Sequence, residues 1–408
     1  MPRRAFAPGS TLGVLFAIAV ALRIGWQIRV GFYVHPETWE YDAVARSLAN
    51  GHGYGYLFLG TEWHTFATPA YPLLLCALHL LSGGPDSYLL IGVAQAFMSA
   101  GLTLTSYGIA DRLRGPGAGI VAAAVVAFHP ALIIYAAKVH ELSFEALLAS
   151  WALLAAIVAV QDRSRRLTVA LGMSAGLAAL TRPTLAFVSA VDFAALLRWR
   201  PRRPIAFGIL LTVAILAPWT IRNASLLGRG APASPYTCVI LWMGNSPVAS
   251  GGTLARDGRG VLQEIPPKLH VEGRPEADQG RILCGAAMGW ISANLGREVR
   301  WWAEKVTYFW WFPPEAGQWY PPTWIDAYRP AYALEALLAL LGVVLTIRRA
   351  GRRAALLLVV VQLVVVSVTQ SFFYVDGRHR LLLEPTLAAL ASIGIATIAT
   401  AARRLRTR

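Results

Sequence analysis

The residues best suited to chemistry fall in five short polar segments set between long apolar runs. The first reads His35-Pro36-Glu37-Thr38-Trp39-Glu40-Tyr41-Asp42 and continues to Asn50-Gly51. Pro36 suits a helix start and Gly51 a helix stop, which predicts an amphipathic helix along the membrane with Tyr41, Val44, Ala45 and Leu48 on its apolar stripe. On such a helix Glu37, Glu40 and Tyr41 share a face through i, i+3 and i+4 spacing. A carboxylate there can act as a general base, although acids in a first turn also favour a helix N-terminus electrostatically. Asp42 points about 100° further round and ranks behind the two glutamates. The second segment, Lys138-Val139-His140-Glu141, fits an interfacial salt bridge, or an anion or metal site against the first helix. Arg182 in Thr181-Arg182-Pro183-Thr184, Arg222 after Pro218-Trp219, and Arg378-His379-Arg380 complete the set. A guanidinium at headgroup depth suits a phosphate, and it also suits simple snorkelling.

These segments are positioned by a chain that is mostly membrane-like. Of 408 residues, 56% are hydrophobic and only 14% charged, against about a quarter for a soluble protein. The mean hydropathy is +0.50. The net charge of +15 would fit nucleic acid, but the arginines cluster in short patches between apolar runs, as topology signals do, and nucleic acid is excluded as a partner. The start, Arg3-Arg4 and then an apolar run that continues past Arg23 and Trp26, reads as an uncleaved signal anchor.

The apolar runs predict about ten transmembrane helices, near 10–32, 87–111, 116–137, 142–161, 167–181, 184–198, 204–221, 330–347, 354–373 and 382–402. Tyr71–Leu81 is too short to span and is bracketed by Pro69, Pro72 and Gly83-Gly84, so it is read as a half-buried helix on the outer face. With that choice Arg3/Arg4, Arg112/Arg114, Arg163/Arg165/Arg166, Arg198/Arg200/Arg202/Arg203, Arg348/Arg349/Arg352/Arg353 and Arg403/Arg404/Arg406/Arg408 all lie on one side. That side is the cytoplasmic face of a bacterial inner membrane, with both termini, and the five polar segments lie on the other. The fold class is thus an all-α polytopic membrane protein with periplasmic amphipathic helices and a small outer lid. Three parts are expected: a transmembrane catalytic module over 1–221 with an outer loop at 33–86, a periplasmic insert over 222–329, and C-terminal transmembrane helices over 330–408.

The insert ends in an aromatic stretch, Trp301, Trp302, Trp310, Trp311, Phe312, Trp319, Tyr320 and Trp324. It fits a membrane-interface belt or a platform for a lipid tail or sugar. Cys238 and Cys284 also fall in the insert, where a disulfide is chemically permitted and two buried thiols are the other reading.

The stretches "HPETWEYDAVARSLANGHGYGY" and "ATPAYPLLLCALHLL", with "LAALTRPT", "PWTIRN", "WMGNSP" and "GRHRLLLEP", resemble the GT-C glycosyltransferases. More closely they resemble family 39, with its protein O-mannosyltransferases and aminoarabinose transferases. The resemblance implies a GT-C-like bundle that moves a sugar from a polyprenyl-phosphate donor to an acceptor lipid, glycan or protein outside the membrane, with inversion. It places the base, usually an Asp about four residues before the Tyr, at Glu37, leaves Glu40 open because it directly precedes Tyr41, and makes Glu141 a second outer-loop acid. It also matches Arg182, Arg222, Arg378 and Arg380 to the donor phosphate, with Tyr41, His64, Lys138 and His379 as further substrate-binding candidates. A divalent metal near Glu40, His64 or Glu141 is a further expectation. A lipid-linked saccharide flippase or a non-catalytic envelope assembly protein are the other classes, although the charges gather at one edge and no internal repeat is visible.

Overall fold

The computed structural model describes residues 8–162, 165–199, 202–228, 234–312 and 322–406. Arg3, Arg4, Arg163, Arg200, Arg408, Trp319 and Tyr320 lie outside the described residues. In chain order the helices are α1 (Pro8–Arg29), α2 (Glu40–Ala49), α3 (Ala70–Leu81), α4 (Leu89–Arg114), α5 (Pro116–Ala127), α6 (Pro130–Tyr135), α7 (Leu142–Asp162) and α8 (Arg165–Thr181). They continue with α9 (Leu185–Trp199), α10 (Arg202–Leu227), α11 (Tyr236–Gly244), α12 (Glu276–Ala293), α13 (Leu295–Trp310), α14 (Pro322–Ile347), α15 (Arg353–Phe372) and α16 (Glu384–Arg406). Four short strands accompany them: β1 (Glu37–Thr38), β2 (Tyr56–Phe58), β3 (Thr61–Trp63) and β4 (Lys138–Val139).

The fold is an all-α membrane bundle. Among the described residues seven helices, α1, α4, α7, α10, α14, α15 and α16, are long and apolar enough to cross a bilayer. Every predicted span but the one over 116–137 coincides with a single helix, and α5, α8 and α9 have 12, 17 and 15 residues, short of the roughly 20 a bilayer core asks for. Helix α3, at 12 residues, is about 18 Å long and too short to cross. At the end of the bundle opposite the polar segments, Arg112, Asp162 and Arg352 line one cavity, so three of the basic loops meet there.

The expected span over 116–137 is not one helix. His129 precedes Pro130, whose ring disfavours helical backbone at the residue before it, and His129 takes ψ 115°. The chain therefore breaks after α5, makes the short α6, and passes extended through β4. Carbonyls freed by the break need donors in an apolar surrounding. Arg23, fully buried in α1, donates to Val126 O and Ala127 O at 3.1 and 3.2 Å and to Ser99 Oγ of α4 at 2.7 Å. Gln27 donates to Ala136 O at 2.8 Å, and Gln95 of α4 to Lys138 O and His140 O at 2.6 and 3.1 Å.

The first outer segment departs from its expected helix. Glu37 and Thr38 are extended and pair in parallel with Lys138 and Val139, and α2 begins only at Glu40. Glu37 is thereby removed from the helical face it was expected to share with Glu40 and Tyr41. The rest of the pattern is as read: Val44 and Ala45 are buried, and α2 packs on α3. Asp42 holds that packing, accepting from Tyr88 Oη at 2.7 Å and lying 2.9 Å from His79 Nε2.

The insert does not build its core alone. Trp63, Phe66 and Val44 from the first outer segment pack with Cys238, Val239, Trp242, Leu283 and Ala287 of α11 and α12. Trp63 Nε1 donates to Gln279 Oε1 at 2.9 Å across the joint. Lys305 of α13 is buried and donates to Gly244 O, Asn245 Oδ1 and Phe373 O at 3.1, 2.8 and 2.9 Å, which ties the insert to the turn after α15. Cys238 and Cys284 form a disulfide between α11 and α12. Elsewhere small residues set the helix spacing: a Cβ at Gly394 would lie 2.7 Å from Leu338 O, and one at Gly342 would meet Leu390 O, so α14 and α16 touch backbone to backbone.

Two outcomes follow from these contacts. Cys238→Ser opens a loop of 46 residues and should remove up to about 4 kcal/mol on a chain-entropy scale, read as a lower melting temperature, with a 238–284 cross-linked peptide lost on reduction. Arg23→Met leaves Ala127 O without its donor, whereas Val126 O keeps the His129 N–H, and thermal unfolding in detergent should show a loss of about 1–3 kcal/mol for the carbonyl left unsatisfied.

Candidate functional site

The break between α5 and α7 delivers Lys138, His140 and Glu141 against the first outer segment. Glu37 and Lys138 are opposite each other in the β1–β4 pair and form an ion pair, with the Glu37 side chain 53% exposed and Lys138 only 9%. Gln95 holds the two carbonyls that fix this turn, so the pair sits on a supported backbone. Beside it, Arg378 stacks on the Trp39 ring with 4.6 Å to the centroid and pairs with Asp376 at 3.3 Å. Asp376 caps the short 3-10 turn Gly377–Leu383, with its side chain accepting from the Arg378 backbone N–H.

Glu40 opens α2, half-buried and near Arg378. Burial raises its carboxyl above the usual range, against the pull of its own backbone N–H and of Arg378. Among the described residues it has no ion-pair partner within bonding distance. Tyr41 turns the other way and donates its hydroxyl to Glu141 Oε1 at 2.8 Å. Burial and the Glu141 and Glu40 charges hold the Tyr41 phenol well above its ordinary value, so it stays a donor.

Glu141 belongs to a second, fully enclosed network. Arg182 donates through Nε to Glu145 Oε2 at 2.6 Å and through Nη1 to Gln370 Oε1 at 3.0 Å, with Nη2 3.8 Å from Glu141 Oε1. Burial first, and then the Glu145 charge, push the Glu141 carboxyl up, against Arg182 and the Tyr41 hydroxyl. Burial alone would lower the Arg182 guanidinium, but Glu145 and Glu141 outweigh it and keep it charged. His140 is driven neutral by burial and by Arg378, Arg182 and Lys138, and its ring meets Trp39 and Tyr41 edge-on at 5.3 and 5.6 Å. His379 is buried, its Nδ1 accepting from the Asp376 N–H at 3.1 Å, which makes it a brace for the Arg378 turn.

Three predicted site residues stand apart from this group. His64 bonds through Nδ1 to Tyr54 O at 2.9 Å, on the rim of the insert. Arg222 stays beside it, donating to His64 O at 3.0 Å between the Trp219 and Tyr54 rings at 4.4 and 5.2 Å. Arg380 points away from Arg378, bonding Glu384 Oε1 at 3.2 Å and lying over the Tyr332 ring at 3.5 Å. Glu40, His64 and Glu141 therefore do not assemble as metal ligands. Among the described residues, the group that brings three ligand atoms together is His129, Glu335 and Glu384.

A cavity of about 950 Å³ joins these parts. Its walls are apolar, from Trp26 of α1, Ile133 and Ile134 of α6, and Trp324, Tyr328 and Ala331 of α14, and one end carries Glu37, Lys138, Asp376 and Arg378. The aromatic stretch divides accordingly. Phe312 and Trp324 line the cavity, whereas Trp301 and Trp302 donate to Gly244 O and Val368 O at 3.2 and 3.3 Å inside the protein. Sequence reasoning missed Gln95, Arg23 and Glu145, and only their polarity within apolar helices could have marked them.

No protein-family model and no curated protein matches the sequence. Solved structures do match in shape. Archaeal oligosaccharyltransferase AglB from Archaeoglobus fulgidus, in complex with an inhibitory peptide and a dolichol-phosphate, superposes with a TM-score of 0.58 over 98% of this chain at 13% identity. A complex of the Archaeoglobus fulgidus oligosaccharyltransferase with Zn and sulfate gives 0.52 over 95% of this chain at 13% identity. This chain spans about half of those proteins' length, 51% and 49%. ArnT from Cupriavidus metallidurans bound to undecaprenyl phosphate matches over 97% of this chain and 80% of its own at 16% identity, with a lower TM-score of 0.43. At these identities the likeness is one of fold, shared with the Archaeoglobus fulgidus oligosaccharyltransferase.

Proposed function

We propose that this protein is a family 39-like GT-C glycosyltransferase that moves a sugar from a polyprenyl-phosphate donor to an acceptor lipid, glycan or protein. The observation that carries the reading is the apolar cavity whose charged end holds two cations and two carboxylates, Lys138, Arg378, Glu37 and Asp376. An isoprenoid chain suits the apolar walls, and a phosphodiester suits the two cations. The dolichol-phosphate in the AglB structure supports that choice of ligand chemistry. In this reading the site faces the extracytoplasmic side of a bacterial inner membrane, with both termini in the cytoplasm, a placement supported by three arginine-rich loops that meet around Arg112, Asp162 and Arg352.

Glu37 is the base in this reading, since it lines the cavity and Glu40 does not. In the free protein Lys138 neutralises Glu37. The donor phosphate competes for Lys138 and releases the carboxylate to take a proton from the acceptor hydroxyl or amine. The acceptor atom then forms its bond to the anomeric carbon from the face opposite the phosphate. The bond from that carbon to the phosphate oxygen breaks, and the lipid phosphate leaves with the electron pair, held by Lys138 and Arg378. One displacement inverts the anomeric centre. Glu141, bound by Tyr41 and Arg182, keeps the turn carrying Lys138 in place rather than taking the proton. No step passes through a metal at Glu40, His64 or Glu141, because those groups do not meet.

Transfer from radiolabelled decaprenyl-phosphate sugars by purified protein tests the assignment. Glu37→Gln should lose about 10²–10⁴-fold in transfer, the usual worth of a general base, with Glu40→Gln losing less. Full transfer by Glu37→Gln would remove Glu37 from that role. Arg378→Ala should lower kcat/KM for the donor by about 10²-fold, the scale of one lost oxyanion contact, while the acceptor KM stays near its wild-type value.

A further inference from the structure

A second polar cluster lies beside the same cavity, where the break after α5 meets α14 and α16. His129 Nε2 is 3.6 Å from Glu335 Oε2 and 3.6 Å from Glu384 Oε2. Those separations exceed a good N–H···O bond of about 2.7–3.2 Å. They match the edge of a tetrahedral coordination shell, where bonds of about 2.0–2.2 Å put neighbouring ligands about 3.3–3.6 Å apart. Ligand atoms of the three residues all lie within 4.8 Å of one another. Tyr328 Oη adds an oxygen 3.5 Å from His129 Nε2 and 3.4 Å from Glu384 Oε1.

A further observation points to a cation here. Glu384 is 0% exposed, and Oε2, the oxygen facing His129, has no hydrogen-bond partner; Glu335 Oε1 is likewise buried and unpartnered. Arg380 offsets one carboxylate by its bond to Glu384 Oε1, and the second positive charge that the buried pair needs comes either from a proton on His129 or from a cation held by the three side chains. His129 Nδ1 faces the Leu132 N–H at 3.4 Å, so Nε2 is the nitrogen turned to the glutamates.

We propose that His129, Glu335 and Glu384 form a divalent-cation site, separate from the charged end of the cavity. One imidazole and two carboxylates suit Zn²⁺ or Mn²⁺ better than Mg²⁺, which prefers an all-oxygen octahedron. Metal at Nε2 puts the ring proton on Nδ1 and gives up the long Leu132 contact. Arg380 then acts outside the ligand shell by orienting Glu384. Because His129 begins α6, Glu335 sits on α14 and Glu384 on α16, the ion would pin together three elements, two of which form the cavity wall.

The test uses full-length protein in detergent, stripped with EDTA, dialysed against Zn²⁺ or Mn²⁺ and assayed for metal by mass spectrometry. A single retained ion per chain is expected, and Glu384→Gln and His129→Gln should each cut the affinity by at least about tenfold. Glu141→Gln should retain the ion. The melting temperature should rise on adding Zn²⁺ or Mn²⁺ to the wild type and not to His129→Gln. Glu335→Gln, at the more exposed ligand with 11% of its side chain accessible, replaces those variants if they do not fold. Wild-type protein holding no stoichiometric ion overturns the proposal and leaves a proton as the compensating charge. An ion that survives all three substitutions, or is lost with Glu141→Gln, overturns it in favour of another location.

Discussion

A helix that breaks inside an apolar bundle must find donors for the carbonyls it frees, and this protein depends on how it meets that demand. Arg23, Gln27 and Gln95 reach from α1 and α4 to Val126, Ala127, Ala136, Lys138 and His140. Their donors replace the hydrogen bonds a continuous helix would have made. The break then becomes useful. It lets the backbone run extended at Lys138 and Val139, pair with Glu37 and Thr38, and turn three ionisable side chains into a common space. Without those donors the break would be expensive, and a straight helix would spread the same residues around a cylinder.

Charge is distributed around this turn in two layers. The inner layer, Arg182 with Glu141, Glu145 and Gln370, is enclosed and bonded at short range, which suits it to hold α7, α8 and α15 in register. The outer layer, Glu37 with Lys138 and Asp376 with Arg378, lines open space and can exchange its partners for a ligand. A carboxylate already surrounded by donors gains little from a substrate, whereas an ion pair at a cavity end can be divided by an incoming phosphate. That difference separates the scaffold from the surface offered for chemistry.

The insert contributes rigidity to this arrangement. Its helices share one core with the first outer segment, the disulfide joins α11 to α12, and Lys305 fastens α13 to the turn that leads to Arg378. The lid and the loop beneath it therefore belong to a single packed unit. The sequence reading treated them as separate pieces because it saw them as two polar stretches far apart in the chain.

What the sequence determined by itself was whatever short-range pattern encodes. Apolar run lengths located the helices, Pro and Gly set their ends, arginine clusters grouped the loops, and Tyr71–Leu81 was recognised as too short to span. The one-sided collection of Glu37, Glu40, Lys138, Glu141, Arg182 and Arg378 was also legible, because ionisable groups stand out against apolar helices. Tertiary structure decided which of them meet. Glu37 looked like a helical neighbour of Glu40 until a strand partner about a hundred residues away drew it into an extended pair. Arg378 and Arg380 are two positions apart, yet one lies on Trp39 and the other reaches into the Glu384 cluster. His129, Glu335 and Glu384 carried no spacing signal at all. Local rules act over one or two helical turns, whereas these partners are chosen by which helix faces close on each other, and that is settled only when the bundle packs.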